Sequence, residues 1–249
     1  MDILVCVKRV PAPGTRIVLT ADEQAIETKN LGFAISPHEE CAVEEAVQLK
    51  EKHGGTTTVL TLGTAVSDEQ LRGAMAMGVD EAILLETDGQ DWQPTATAKA
   101  IVSAIQGRKF DMLLFGNESA DAGGYQVGIR VAHALDLPCV TGIKGLEING
   151  SKATARKEAA GGWELYEVDL PAVFTVKEGI NLPRYPSLPG RLRAKKKAIA
   201  TSTPENSGGG LQKLRLKLPE EQGKQVEILG EGAAAAPKVV ELLRELRLI

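Results

Sequence analysis

The sequence has few of the residue patterns that support covalent or metal chemistry. Its 249 residues include three cysteines and three histidines, and none of these has CxxC or metal-ligand spacing. Cys6, Cys41 and Cys139 each lie in an apolar stretch, so we expect reduced core residues. The pattern therefore predicts no disulfide scaffold, no metal site and no catalytic residue, which argues against an enzyme acting with its own side chains.

Signals for a membrane or a nucleic-acid partner are also missing. No apolar run approaches the length that spans a bilayer, and the formal net charge of −4 gives no basic surface for nucleic acid. The first ten residues, MDILVCVKRV, have an acidic second residue and become strand-like at once, unlike a signal peptide. We therefore expect a cytoplasmic protein.

Short apolar runs alternate with helical periodicity through the first 143 residues. Ser36 with Glu39, and Ser67 with Gln70, have the spacing of capping boxes and predict the starts of two helices. Short β–α–β connections imply parallel strands joined by right-handed crossovers. We predict an α/β fold with a mostly parallel, doubly wound, Rossmann-like sheet. Further helices are predicted over 94–105 and 127–135, and strands over 2–7, 17–19, 25–28, 57–62, 81–85, 111–116 and 138–143.

The pattern changes after residue 145. Alternating side chains predict a small antiparallel extension with strands over 146–148, 153–157, 164–168 and 172–176. Prolines at 183, 186 and 189 argue against an ordinary helix there, so we predict a stiff loop followed by a cationic run. The composition from residue 200 predicts an extended arm that ends in an amphipathic helix over 237–249. We predict a domain over 1–199 and an arm over 200–249.

The best candidate binding site lies in the stretch from Asp111 to Leu135. An apolar run ending at Gly116 predicts a buried strand, and Val127 begins a helical face. The residues between them are small or polar, which lets backbone N–H groups approach an anion at the helix start. A nucleotide phosphate fits this pattern, although an ordinary polar turn fits it too, and the loop matches neither GxGxxG nor GxxxxGK[ST].

Other segments are predicted to meet this loop. The carboxyl ends of parallel strands share one edge of the sheet, and ligands bind there at a topological switch point. Cys6, Ser36 and Leu62 lie at or near strand ends of this kind. Gly63 and Gly116 each end a strand, where we expect a side chain to obstruct a ligand.

The segments VCVKRV, SPHEECAVEEAVQLKEK, AMAMGVDEAILLE, GNESADAGGYQVG and LPRYPSLPGRLRAKKK resemble the β (small) subunit of electron transfer flavoproteins. The similarity is collinear over about 3–197. It implies a heterodimer with an α subunit that holds most of a redox-active FAD, while the β subunit carries AMP or, in electron-bifurcating members, a second FAD. It also implies electron transport from acyl-CoA dehydrogenases of fatty acid oxidation, or other dehydrogenases, to a membrane quinone oxidoreductase or similar acceptor.

The resemblance assigns residues to two sites. Residues 184–193 match the family's recognition loop, with Leu188 as anchor beside Tyr185 and Arg191, and Glu158 matches an acidic residue that pairs with an arginine near the partner's flavin. The residues expected around the AMP are Cys6, Ser36, Pro37, His38, Glu39, Leu62, Gly63, Gly116, Asn117, Glu118, Ser119, Ala120, Asp121, Ala122, Gly123, Gly124, Tyr125, Gln126 and Val127.

Several alternatives stay open at the level of sequence. The loop reads ADAGGYQVG rather than the AIDGDTAQVG of bifurcating members, which favours AMP over a second FAD. Pro13 replaces an aromatic residue near the flavin in many members, so a flavin contact there is in doubt. Leu188 could instead be local core, and the lysines at 195–197 a solvated face rather than a docking patch. A stand-alone nucleotide-binding protein of the universal-stress type would not need residues 144–249.

Overall fold

The computed structural model describes residues 1–208, 210–219 and 227–249. The chain divides into two compact units. The first comprises residues 1–18 and 26–213, and the second comprises 19–25 and 214–249. The first unit holds the large sheet, whereas the predicted boundary at 199/200 stays a prediction.

Strands and helices alternate through the first unit. The strands are β1 Asp2–Cys6, β2 Arg9–Pro11, β3 Phe33–Ile35, β4 Thr56–Gly63, β5 Glu81–Glu86, β6 Met112–Gly116, β7 Cys139–Asn149, β8 Lys152–Ala159, β9 Gly162–Asp169, β10 Ala172–Val176 and β11 Ala200–Ser202. The helices are α1 Pro37–His53, α2 Asp68–Met77, α3 Pro94–Ile105, α4 Val127–Ala134 and α5 Leu188–Lys196. Most of these elements coincide with predicted ones, including α3 over 94–105.

The large sheet has nine strands in the order β11-β5-β4-β1-β6-β10-β7-β8-β9. Strands β11 through β7 pair in parallel, and β7, β8 and β9 pair antiparallel. The chain moves outward from β1 to β4 and β5 and then returns to the other side of β1 as β6. This reversal is a topological switch point, and the predicted fold class is confirmed.

Core side chains alternate between the two faces of the sheet. In β1, Ile3 and Val5 pack with helices α1 and α2, whereas Leu4 and Cys6 pack with α3 and α4. Both faces of the parallel strands are therefore covered, which explains why these strands read as continuous apolar runs. Among the described helices, none combines the length and the apolar character needed to cross a bilayer.

Strand β10 corrects the predicted antiparallel extension. Its five residues are fully buried, and it lies between β6 and β7, parallel to both. A continuous buried run is typical of a central parallel strand, and this property outweighs the position of the run after a hairpin. The extension therefore consists of β7, β8 and β9, with the predicted segments 138–143 and 146–148 joined in one strand, β7.

Two other local predictions were wrong. No strand element forms over 17–19 or 25–28 in the described structure; β2 and β3 form the small antiparallel sheet instead. Helix α5 begins at Leu188 although Pro189 follows, because a proline in the first turn removes no intrahelical hydrogen bond. Ser187 caps this helix by accepting a hydrogen bond from the Gly190 amide at 3.1 Å.

The second unit contains one α-helix among its described residues, α6 over Ala236–Glu245. Its turn at 19–25 is bonded to the later segment, where the Leu216 amide donates to the Glu23 carbonyl at 2.8 Å. Helix α6 ends before the predicted boundary, so Leu246 lies beyond it. Val239, Val240 and Leu242 on this helix are each about 40% exposed.

Candidate functional site

A cavity of about 440 Å³ opens at the carboxyl ends of the parallel strands. Residues that follow β1, β4, β5 and β6 contribute to its wall. The first turn of α1 and Thr175 of β10 also contribute. The cavity therefore lies at the switch point between β1 and its neighbours, where the fold leaves a crevice. Its volume is in the range of small-molecule sites.

Most of the residues predicted to surround a nucleotide line this cavity. They are Cys6, Glu39, Leu62, Gly63, Gly116, Asn117, Glu118, Ser119, Asp121, Ala122, Gly124, Tyr125, Gln126 and Val127. The cavity wall does not include the other predicted residues, which are Ser36, Pro37, His38, Ala120 and Gly123.

Ser36 contacts the loop between β6 and α4 rather than the cavity. The residue occupies the N-cap position of α1 but makes no side-chain cap bond. Its buried hydroxyl instead accepts a hydrogen bond from the Ala120 amide at 3.1 Å and donates to the Glu118 carbonyl at 3.5 Å. This half of the predicted capping box was therefore wrong, because a tertiary contact occupies the hydroxyl. The predicted cap Ser67 also makes no side-chain cap hydrogen bond.

Glu39 places a buried carboxyl in the cavity wall. One oxygen accepts a hydrogen bond from the Lys8 amide, so the carboxyl joins the first turn of α1 to the end of β1. Burial raises the pKa of Glu39 to about 8, and the hydrogen bond and charge of Lys8 only partly offset this effect. At neutral pH the side chain is therefore mostly protonated.

Gly63 and Gly116 each lie too close to another side chain of the protein to carry a Cβ. A Cβ on Gly63 would lie 2.5 Å from the Ser67 hydroxyl, and a Cβ on Gly116 would lie 2.5 Å from Cγ of Glu39. Both glycines therefore make room for the protein's own side chains in the cavity wall. The expectation that a side chain at these positions would also obstruct a ligand stays a prediction.

The loop between β6 and α4 is held at both ends and in the middle. Asn117 at its start accepts a hydrogen bond on its side-chain oxygen from the Thr175 hydroxyl at 2.8 Å, and its amide donates to the Val176 carbonyl. Asp121 pairs with Lys8 at 2.7 Å. Tyr125 has a positive φ of 55° just before α4 begins. The loop thus brings its backbone to the start of the helix in a defined conformation.

Residues near α3 form another part of the wall. Trp92, Thr97 and Ile101 come from the β5–α3 connection and from α3, and the sequence analysis missed them. The signal was available, because β5 is a parallel strand that ends at the same edge as β1 and β4. The Cys6 thiol is also buried, which raises its pKa far above the ordinary value and keeps it from acting as a thiolate.

The segment assigned to partner docking is on the surface. Tyr185 is 89% exposed and Leu188 is 71% exposed, so the alternative in which Leu188 is local core does not hold. Arg191 lies over the Tyr185 ring at 5.5 Å from its centroid. Glu158 is exposed and pairs with Lys144 at 2.5 Å, and this hydrogen bond lowers the pKa of Glu158.

Comparisons with known proteins agree on one family. The sequence model described as "Electron transfer flavoprotein domain" matches residues 24–207. The chain is 37% identical to "Electron transfer flavoprotein subunit beta" of Bacillus subtilis (strain 168), with 98% of each chain covered. It is 37% identical to the protein of the same name from Syntrophomonas wolfei, covering 98% of this chain and 96% of that one. A mitochondrial relative from Oryza sativa subsp. japonica is 35% identical, with 83% of each chain covered.

Proposed function

The chain belongs to the electron transfer flavoprotein family, among whose members it matches the β subunits, and on this basis we propose that it binds AMP in the cavity at the switch point. We further propose that it pairs with an FAD-bearing α subunit and docks acyl-CoA or other dehydrogenases. Electrons would then pass to a quinone oxidoreductase or a similar acceptor. The FAD supplies the redox chemistry, and this chain supplies a nucleotide site and docking surfaces.

The observation that carries the AMP proposal is the composition of the cavity. Leu62, Trp92, Ile101 and Phe115 offer an apolar wall that suits an adenine ring. The loop that ends at α4 offers backbone N–H groups and a helix N-terminus, which favour a phosphate. The residues present therefore fit an adenylate, with an apolar region for the base and a polar region for the phosphate.

The docking proposal depends on exposure and stiffness. Leu188 lies at the first position of α5, directly before Pro189 and after the Ser187 cap, so its position is well defined although its side chain is exposed. Burying one leucine contributes about 1.5–3 kcal/mol, less than the several kcal/mol that association costs in lost freedom. Such a contact suits a brief encounter with several different dehydrogenases.

Glu158 forms the second part of the docking proposal. We propose that it faces the flavin region of the α subunit, as the resemblance implies. Its pairing with Lys144 within this chain would then have to be exchanged for a partner's arginine on complex formation. Since both side chains are at the surface, that exchange costs little.

Co-expression with the gene of its α subunit, followed by mass identification of the bound nucleotides, tests the proposal. We expect a yellow one-to-one complex with one AMP and one FAD. Two FAD molecules per heterodimer would instead favour the bifurcating alternative. A colourless monomer that hydrolyses ATP would contradict the proposal and favour a stand-alone nucleotide-binding protein.

A further inference from the structure

Charged side chains in the cavity wall are mostly paired with one another. Lys8 pairs with Asp121 at 2.7 Å. Asp91, from the β5–α3 connection, pairs with Lys213 at 2.5 Å. These pairs leave little net charge for a ligand to contact.

The two remaining acidic groups are also engaged. Glu39 is buried, accepts the Lys8 amide and has a raised pKa, so it carries little charge at neutral pH. Glu118 accepts a hydrogen bond from the Tyr125 hydroxyl, which raises the pKa of that tyrosine. The acidic side chains of the cavity wall are therefore already satisfied within the protein.

Arg9 is different from all of these groups. Its guanidinium carbon lies over the Phe33 ring, 3.4 Å from the ring centroid. Across residues 1–208, 210–219 and 227–249, its buried Nε has no hydrogen-bond partner, and the guanidinium forms no ion pair with a carboxylate. Burial lowers the pKa of Arg9, and the charge of Glu69 only partly opposes this effect.

An unpaired, partly desolvated guanidinium beside a cavity is costly unless a ligand supplies acceptors. Arg9 lies in the wall of the cavity, on β2 immediately after the end of β1. The Phe33 ring holds the planar group in place, which reduces the freedom that would be lost on binding. The planar fork of an arginine matches phosphoryl oxygens, and such charge-assisted hydrogen bonds are among the strongest.

We propose that Arg9 is an anion-binding residue of this cavity and that its guanidinium donates hydrogen bonds to a phosphoryl oxygen of the bound nucleotide. The proposal rests on the proposed function, in which the cavity holds an adenylate. The phosphoryl group has two possible sources: the single phosphate of AMP, or a second phosphate such as that of ADP or FAD. In both cases the phosphoryl group would be bound by the charged Arg9 side chain in addition to the backbone amides at the start of α4.

The test is a titration of the nucleotide-free heterodimer with adenosine, AMP, ADP and inorganic pyrophosphate, for the wild type and Arg9→Gln. Arg9→Lys is a second variant, which keeps the charge but loses the planar fork. Arg156→Gln is the matched control, because Arg156 also stacks on an aromatic ring, Trp163 at 5.4 Å, but lies outside the cavity wall.

We expect Arg9→Gln to weaken binding of a phosphorylated ligand roughly tenfold, as the loss of one charge-assisted contact implies, and to leave adenosine affinity unchanged. A loss already present with AMP assigns Arg9 to the first phosphate, and a loss that appears only with ADP assigns it to a second one. The affinity of Arg9→Lys for phosphorylated ligands should lie between those of the wild type and Arg9→Gln. Arg156→Gln should bind like the wild type.

Two results would overturn the inference. One is unchanged affinity of Arg9→Gln for AMP, ADP and pyrophosphate, which would leave AMP binding by the wild type, and with it the proposed function, intact. The other is an equal loss of adenosine and AMP affinity, which would make Arg9 a purely structural residue. If the wild type binds pyrophosphate through Arg9 but no adenylate, the anion site stands and the proposed function fails. If it binds neither, both fail.

Discussion

Replacement of Arg184 by alanine would remove a set of ion pairs that holds the proposed docking segment, residues 184–193, on helix α1. The guanidinium donates from Nε and Nη2 to Glu44 at 2.9–3.2 Å and from Nη1 and Nη2 to Glu51 at 2.6 and 2.9 Å. The Arg184 amide also donates to Glu44 at 3.0 Å. Three residues earlier, the Asn181 side chain donates to the Cys41 carbonyl and to Glu45. These bonds lie directly before the exposed part of the segment.

The magnitude follows from the burial of each partner. The Glu44 side chain is 3% exposed, whereas Glu51 is 54% exposed and Arg184 is 35% exposed. Removing one partner of a buried pair costs about 3–5 kcal/mol because a buried charge is left unpaired. Since Arg184 is partly hydrated and Gln48 still donates to Glu44, we expect a loss of about 2–3 kcal/mol in the free energy of unfolding.

Glu51→Gln is the matched control for this variant. It removes only the exposed half of the cluster, so we expect a loss below about 1 kcal/mol. The assay is urea unfolding at pH 7, followed by circular dichroism, on the full chain in its heterodimer. The spacing of the two unfolding midpoints then gives the difference directly, provided that the slopes agree.

The pH dependence provides an independent check. Burial alone would raise the pKa of Glu44, but hydrogen bonds from Arg184 and Gln48 outweigh burial and lower the pKa below 4.5. A lowered carboxyl pKa contributes stability that is present above the unfolded-state pKa and is lost as pH falls through the folded-state value. The difference between the wild type and Arg184→Ala should therefore shrink below about pH 4.5. Equal stability losses in Arg184→Ala and Glu51→Gln at pH 7 would refute the reasoning.

Three further predictions address the cavity and the docking segment. Leu188→Ala should lower kcat/KM for electron acceptance from a dehydrogenase about tenfold or more with unchanged flavin content, and Leu211→Ala, also an exposed leucine, should not. Gly124→Glu should reduce AMP occupancy, since Cβ meets open space but the carboxylate repels phosphate; Gly73→Glu, equally open, should not. Because the pKa of Glu39 is raised, the free energy of unfolding of the wild type should fall as pH rises from 4.5 to 8, by up to about 1.4 kcal/mol per pH unit. Glu39→Gln should remove this fall, which urea unfolding at several pH values measures. An unchanged slope would contradict the raised pKa.

The sequence predicts the parallel part of the fold well because its signals are local. Each buried strand reads as an apolar run, and each helix has its own period and breakers. Strand β10 has the composition of a central strand, but nothing within it indicates that it lies between β6 and β7. Its neighbours depend on contacts with residues about 30 and 60 positions earlier. Sheet order of this kind is not encoded in local periodicity.

The candidate site shows the same division. The glycine-containing loop and the strand ends can be predicted from sequence, and most of the predicted residues line the cavity. The functions of individual polar groups cannot be predicted in this way, because they depend on contacts that are distant in sequence. Ser36, for example, bonds a loop more than 80 residues away. Trp92 could have been found by extending the strand-end argument to β5. Arg9 could not, since only the three-dimensional structure shows that its guanidinium forms no ion pair with a carboxylate of the described residues.

The insertion of β10 into the middle of the sheet has a consequence for how the protein is made. Thr175 and Val176 of this strand bond Asn117, the first residue after β6, and Thr175 also accepts a hydrogen bond from the Gly142 amide. Until the ribosome has released about 176 residues, the growing chain has two separate groups of strands and no partner for the start of this loop. If the chain binds an adenylate as proposed, binding during synthesis would therefore begin abruptly and late, after the hairpin that precedes β10 has already emerged.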